Sequence, residues 1–122
     1  MNEDFVTYEL AVKLKEKEFD WRIGYAYDND GEYMYTVTEY DVDYIPAPTI
    51  SQVLKWLREE KNIFVVIAAN PTLSTKDKIA YYYQVHSNSN GVTSDYYENE
   101  ECYAQWEDCA IDSIKYVLDN LI

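Results

Sequence analysis

Hydrophobic positions change their spacing several times along the chain, and each change marks an element. Phe5, Tyr8 and Val12 recur at helical spacing beside Leu10 and Leu14, with Asp4 or Asn2 available as a cap. This predicts an opening helix over residues 5–17. Residues 23–27 read as a strand, Asp28-Asn29-Asp30-Gly31 as a turn, and residues 32–40 as the second strand of a hairpin. Pro46 and Pro48 cannot donate ladder hydrogen bonds, so they mark a rigid connection that ends this sheet segment.

Thr49 with Gln52 three residues on forms a capping box, and Ile50, Val53, Leu54 and Leu57 line one face of a helix over residues 50–60. Residues 63–69 are continuously apolar and rich in β-branched side chains, the pattern of a central strand covered on both faces. Asn70 and Pro71 end it. Ile79, Tyr81, Tyr83 and Val85 then alternate with Ala80, Tyr82, Gln84 and His86, as in a half-buried strand. A turn at Ser87-Asn88-Ser89-Asn90-Gly91 leads to a short strand over residues 92–97. The last helix follows an Asn99 cap, carries Glu100 and Glu101 at its positive end and continues to residue 121. Its stripe of Tyr103, Trp106, Ala110, Ile114, Val117, Leu118 and Leu121 faces a core. The order α-β-β-α-β-β-β-α predicts an α+β fold, an antiparallel sheet with helices packed mainly on one face.

The length of 122 residues, 48% of them hydrophobic, suits a single domain spanning residues 1–122 with a sizeable core. The acidic start Met-Asn-Glu-Asp is unlike a secretory signal, and no run of ~18 apolar residues offers a membrane span. A cytoplasmic location is the expectation. Cys102 and Cys109, placed on one helix, would have Cα atoms about 10 Å apart along the axis, too far to bridge. With His86 distant in sequence they make a poor zinc set, which fits a reducing compartment.

Charge changes the picture most. The chain carries a net charge of −13, from 23 acids against 10 bases. This repels phosphate, so direct nucleic-acid binding is disfavoured and a basic protein partner is the natural counterpart. Residues 23–54 contain no Lys or Arg but hold Asp28, Asp30, Glu32, Glu39, Asp41 and Asp43. Residues 79–114 are likewise free of bases and hold Asp95, Glu98, Glu100, Glu101, Glu107, Asp108 and Asp112. Fourteen tyrosines accompany them, and tyrosine serves equally as a strand former and as a contact residue that loses little entropy on binding.

Catalytic chemistry finds little support. Asp28, Asp30, Glu32 and Glu39 occupy calcium-loop positions, but Tyr33 stands where such a loop needs glycine and the flanks read as strands. His86 falls on the wetter side of its strand. The acids beside Cys102 and Cys109 would raise a thiol pKa, against nucleophilic use. Carboxylate pairs such as Asp41 with Asp43 are expected by coincidence at this acid density. Three glycines leave no material for a phosphate loop or a dinucleotide fingerprint. No catalytic residue, cofactor or metal site is assigned.

Three segments resemble small uncharacterised proteins of phages and mobile elements of gut Bacteroidota: Tyr8 to Ala11 with Leu14 to Asp20, the proline-led run from Ala47 to Glu59 that includes Trp56, and Ala110 to Ile122. The resemblance implies a bacterial cytoplasmic context and an accessory role, and it transfers no activity or site residue. The resulting expectation is a non-catalytic interaction module for a basic protein surface, including an inhibitor that imitates nucleic-acid charge. Its contact residues are expected to be Asp41, Asp43, Asp95, Glu98, Glu100 and Glu101, with Tyr40, Tyr44 and Tyr97 as anchors. A homo-oligomer that buries the tyrosines from 81 to 83 is the alternative, and a small enzyme the third.

Overall fold

The computed structural model describes residues 4–38, 44–72, 74–75, 78–89, 92–98 and 103–122, with residues 88–89 and 92–98 described by their strand pairing alone. The elements are α1 (Tyr8–Glu16), β1 (Tyr25–Tyr27), β2 (Met34–Thr36), β3 (Ile45–Pro46), α2 (Ile50–Lys61), β4 (Ile63–Ala69), β5 (Tyr81–Ser89), β6 (Val92–Glu98) and α3 (Trp106–Asn120). The protein is α+β. Its strands form two three-stranded antiparallel sheets, ordered β2-β1-β3 and β4-β5-β6, in place of the single sheet expected.

The extra strand β3 is where the prolines were expected to forbid pairing. Pro46 lies opposite Ala26 at the edge of its sheet, where a missing N–H removes no bond to a further strand, and the Ala47 N–H reaches the Tyr25 carbonyl at 2.9 Å. The opening helix starts later than its periodicity suggested. Phe5 bridges Thr49, the Val6 N–H bonds the Pro48 carbonyl at 3.0 Å, and the Thr7 hydroxyl caps the Leu10 amide, so residues 4–6 run extended. For α2 the capping box is present as expected, with Thr49 and Gln52 each accepting from the other's backbone N–H.

The last helix also starts later. Tyr81 and Tyr103 exchange backbone hydrogen bonds of 2.8 and 2.9 Å, which holds Tyr103 in an extended bridge to β5, and α3 begins only at Trp106 after a Gln105 cap. The expected cap Asn99, with Glu100, Glu101 and Cys102, lies outside the described residues, and the helix that carries Cys109 is Trp106–Asn120.

One core joins the helices to the second sheet. Leu10 and Leu14 of α1, Val53, Trp56 and Leu57 of α2, and Ile114, Val117 and Leu118 of α3 pack with Ile63, Tyr83 and Val85. Each large aliphatic side chain buried here contributes about 1.5–3 kcal/mol. Contrary to expectation, β4 is an edge strand covered on one face only, and the tyrosine-rich β5 is the central one. Ile63, Val65 and Ile67 face the helices with Val85 and Tyr83. Phe64 and Val66 lie on the outer face beside His86 and Gln84.

Candidate functional site

The hairpin of β1 and β2 carries the acidic, aromatic surface. Its connection is organised by Asp28, whose carboxylate accepts the N–H groups of Glu32 at 2.7 Å and Tyr33 at 3.3 Å. The Asp28 N–H meets the Tyr33 carbonyl at 3.0 Å, and the Asp28 carbonyl accepts the Gly31 N–H at 3.1 Å. Asp28 thus closes the loop with a carboxylate oxygen, Oδ1, that a calcium loop would direct at an ion. Among the described residues no group of three His, Cys, Asp or Glu side chains is placed to hold a metal.

Gly31 fits this loop to α1. Its φ is +73°, and a Cβ built there would lie 2.5 Å from the Tyr8 ring, so both the backbone and the close approach require glycine. The Tyr8 hydroxyl donates to the Asn29 carbonyl at 3.0 Å, and its ring meets Tyr27 edge to face with centroids 5.6 Å apart. The Tyr27 hydroxyl donates to the Val6 carbonyl, and burial raises its pKa above the ordinary tyrosine value of 10.0. Phe5 stands edge to face against Tyr25 at 5.4 Å. The hairpin is therefore held from one side by Phe5, Val6 and Tyr8.

What remains outward is aromatic and acidic. Tyr33 is 63% exposed, Tyr25 45%, Tyr35 42% and Met34 39%, with exposed Asp30 and Glu32 in the same base-free stretch; the register sets Tyr25 and Met34 on the face of Tyr27 and Tyr35 on the opposite face, with Ala26. Rigid tyrosines next to carboxylates are the side chains that contact a cationic surface, through ring faces for arginine and lysine and through carboxylates for their charge.

The expected contact residues fare unevenly. Tyr40, Asp41, Asp43, Glu100 and Glu101 lie outside the described residues. Asp95, Tyr97 and Glu98 fall in β6, opposite Ser87, Val85 and Gln84. Tyr44 is half-buried and its hydroxyl donates to the Trp21 carbonyl at 3.4 Å, so this chain already engages it. Sequence reasoning passed over Tyr25, Tyr33, Met34 and Tyr35. The available signal was weak: residues 32–36 hold no Val, Ile, Leu or Phe, in contrast to residues 63–67 of β4.

Other reactive groups are accounted for locally. Cys109 is fully buried among the residues of α3 and its neighbours. His86 lies on the outer face of the second sheet, opposite Phe64. A cleft of about 440 Å³ is lined by Glu18, Phe19, Asp20, Trp56, Glu60 and Lys61, with the Lys61 ammonium 5.3 Å from the Trp56 ring centroid. The carboxylates at its rim are on exposed residues. Tyr83 sits in the core against Tyr103 and Tyr116, with centroids 6.5 and 6.4 Å away, so this member of the tyrosine run is not a surface for a second subunit. No described helix is long and apolar enough to cross a membrane. The chain matches no protein-family model, no curated protein and no solved structure.

Proposed function

We propose that this protein is a non-catalytic interaction module that docks its acidic, tyrosine-bearing hairpin onto a basic protein surface. The observation that supports it best is the exposure of Tyr33 and Tyr35, two residues apart, near Asp30 and Glu32 in a stretch without a single base; Tyr25 and Met34 are exposed on the other face of the hairpin, the one that Phe5 and Tyr8 hold. Aromatic anchors at the centre of a contact, with carboxylates complementing a positive partner, supply affinity and orientation respectively. Within a bacterial cytoplasm such a partner is a protein that handles nucleic acid, and the module acts as an accessory inhibitor of a phage or mobile element by occupying the phosphate-binding surface.

The test is capture on immobilised protein from nuclease-treated bacterial lysate, eluted in salt steps, in parallel with a Tyr33→Ser/Tyr35→Ser variant. The expected result is a basic protein retained by the parent chain, lost from the variant and released at moderate salt, because exposed charges are screened beyond about 8 Å at physiological ionic strength. Retention that ignores both the double substitution and the salt overturns the proposal.

A further inference from the structure

The outer edge of the second sheet supports a different kind of contact. In an antiparallel ladder alternate residues direct their N–H and C=O groups towards one neighbour or the other. The Asn70 N–H donates to Ala80 across the β4–β5 pair, and Tyr81 turns both of its backbone groups away from β4, towards Tyr103. That phase leaves Ile63, Val65, Ile67 and Ala69 with N–H and C=O groups directed out of the sheet, on a strand with no further neighbour among the described strands.

Other sheet edges carry features that discourage pairing. β2 is three residues long, β3 contains Pro46, and the β6 ladder is broken by a register shift at Ser87/Asn88. β4 has none of these: seven residues, Ile-Phe-Val-Val-Ile-Ala-Ala, no charge, no proline and unbroken register with β5. Such a bare edge is a template for another strand. Its outer face adds exposed apolar surface, Phe64 at 37% and Val66 at 43%.

We infer that β4 is a self-association edge, on which a second copy of this chain pairs antiparallel about a two-fold axis at Val66. Residues 61–80 of the sequence hold Lys61, Lys76 and Lys78 against Asp77, so the acids that give the net charge of −13, and that oppose the meeting of two copies, are concentrated in other stretches of the chain. The register is self-complementary as well. An axis at Val66 sets Val65 against Ile67 and Ile63 against Ala69 of the other copy, matching outward N–H to outward C=O throughout. On the outer face it sets Phe64 against Ala68, large against small. The two sheets become one of six strands.

The experiment is sedimentation equilibrium of the full chain over a concentration series at low and high salt, with amide exchange followed by NMR in the same samples. The expected mass rises with concentration from 14.4 kDa towards double that value. Association tightens with salt as the net charges are screened, the opposite sign to docking on a basic partner, so the failure of either reading is recognised separately. The amides of Val65 and Ile67 gain protection in step with the dimer. Val66→Lys places two ammonium groups at the axis and raises the dissociation constant roughly tenfold or more. A single-copy mass at every concentration and salt overturns the inference, as does a dimer that Val66→Lys leaves intact. So does a dimer in which the Val65 and Ile67 amides exchange as fast as in the dilute protein. If circular dichroism shows Val66→Lys unfolded, the exchange measurement on the parent chain decides alone.

Discussion

The two sheets of this protein are held by different means. In β4-β5-β6 the inner row of Ile63, Val65, Tyr83 and Val85 meets the aliphatic faces of α2 and α3, so burial supplies the attachment. In β2-β1-β3 the buried strand positions are Ala26 and Pro46. Beside the packing of Tyr27 and Ile45 against the core, attachment there comes from ring edges and a hydroxyl: Phe5 on Tyr25, Tyr8 on Tyr27, and the Tyr27 hydroxyl on the Val6 carbonyl. A sheet attached by aliphatic burial turns its apolar side inward. One attached by ring edges keeps ring faces and carboxylates outside, available to a partner at small cost to the fold.

The largest test of this contrast is in the core half. Ile114 is fully buried, and Ile114→Ala is expected to lower stability by about 2–5 kcal/mol, read from the urea midpoint. The hairpin half has one comparably sensitive point. Gly31→Ala forces an L side chain to positive φ, a cost of about 1–2 kcal/mol, and displaces the Tyr8 ring besides. NMR shifts confined to α1 and the hairpin would place the damage there, whereas shifts spread through α3 would break the contrast.

Titration separates the halves at opposite ends of the pH scale. The folded pKa of Tyr27 is raised, so its contribution is complete below pH 10.0 and disappears as pH rises through the folded value. Tyr27→Phe should flatten that alkaline loss. Asp119 behaves inversely, because its hydrogen bond and ion pair with Lys13 at 2.7 Å lower its pKa below the ordinary 3.8. Its contribution is present above that value and disappears as pH falls through the folded one, so Asp119→Asn should flatten the acid limb of the stability curve. The smallest effect is expected at the display surface itself. Tyr33→Ser/Tyr35→Ser should change the stability, read from the urea midpoint, by no more than about 0.5 kcal/mol while abolishing partner capture.

Local rules carried the reading of the sequence where local chemistry decides. The Thr49–Gln52 box, the helix behind it, and β4 as a seven-residue strand were all legible, as was the hairpin around Asp28-Asn29-Asp30-Gly31. Readings that depended on a distant neighbour were not. The apolar run of β4 identifies a strand, but how many strands flank it is set by pairing with β5. The periodicity of residues 5–7 and 100–105 suggested helix, and the bridges Phe5 to Thr49 and Tyr81 to Tyr103 overrode it at Phe5 and Tyr103. At the candidate site, the acidity and tyrosine content of the hairpin region were legible. That Tyr44 would be held by Trp21 while Tyr33 and Tyr35 stay outside depends on contacts across the fold.

The joint between α2 and β4 is a single residue, Asn62, in the left-handed conformation with φ of 55°. Asparagine tolerates that conformation better than most residues, so the chain reverses from helix to strand without a loop. The entropy of bringing two elements together grows with the length of chain between them, and here that length is minimal. The ladder of β5 and β6 extends the same economy, since its pairs begin with Ser89 opposite Val92, close in sequence. Residues 50–98 thus hold the pairings of low loop-closure cost, the natural nucleus for folding, while the bridge of Phe5 to Thr49 and the bond of Val6 to Pro48 close over much longer stretches of chain and form late.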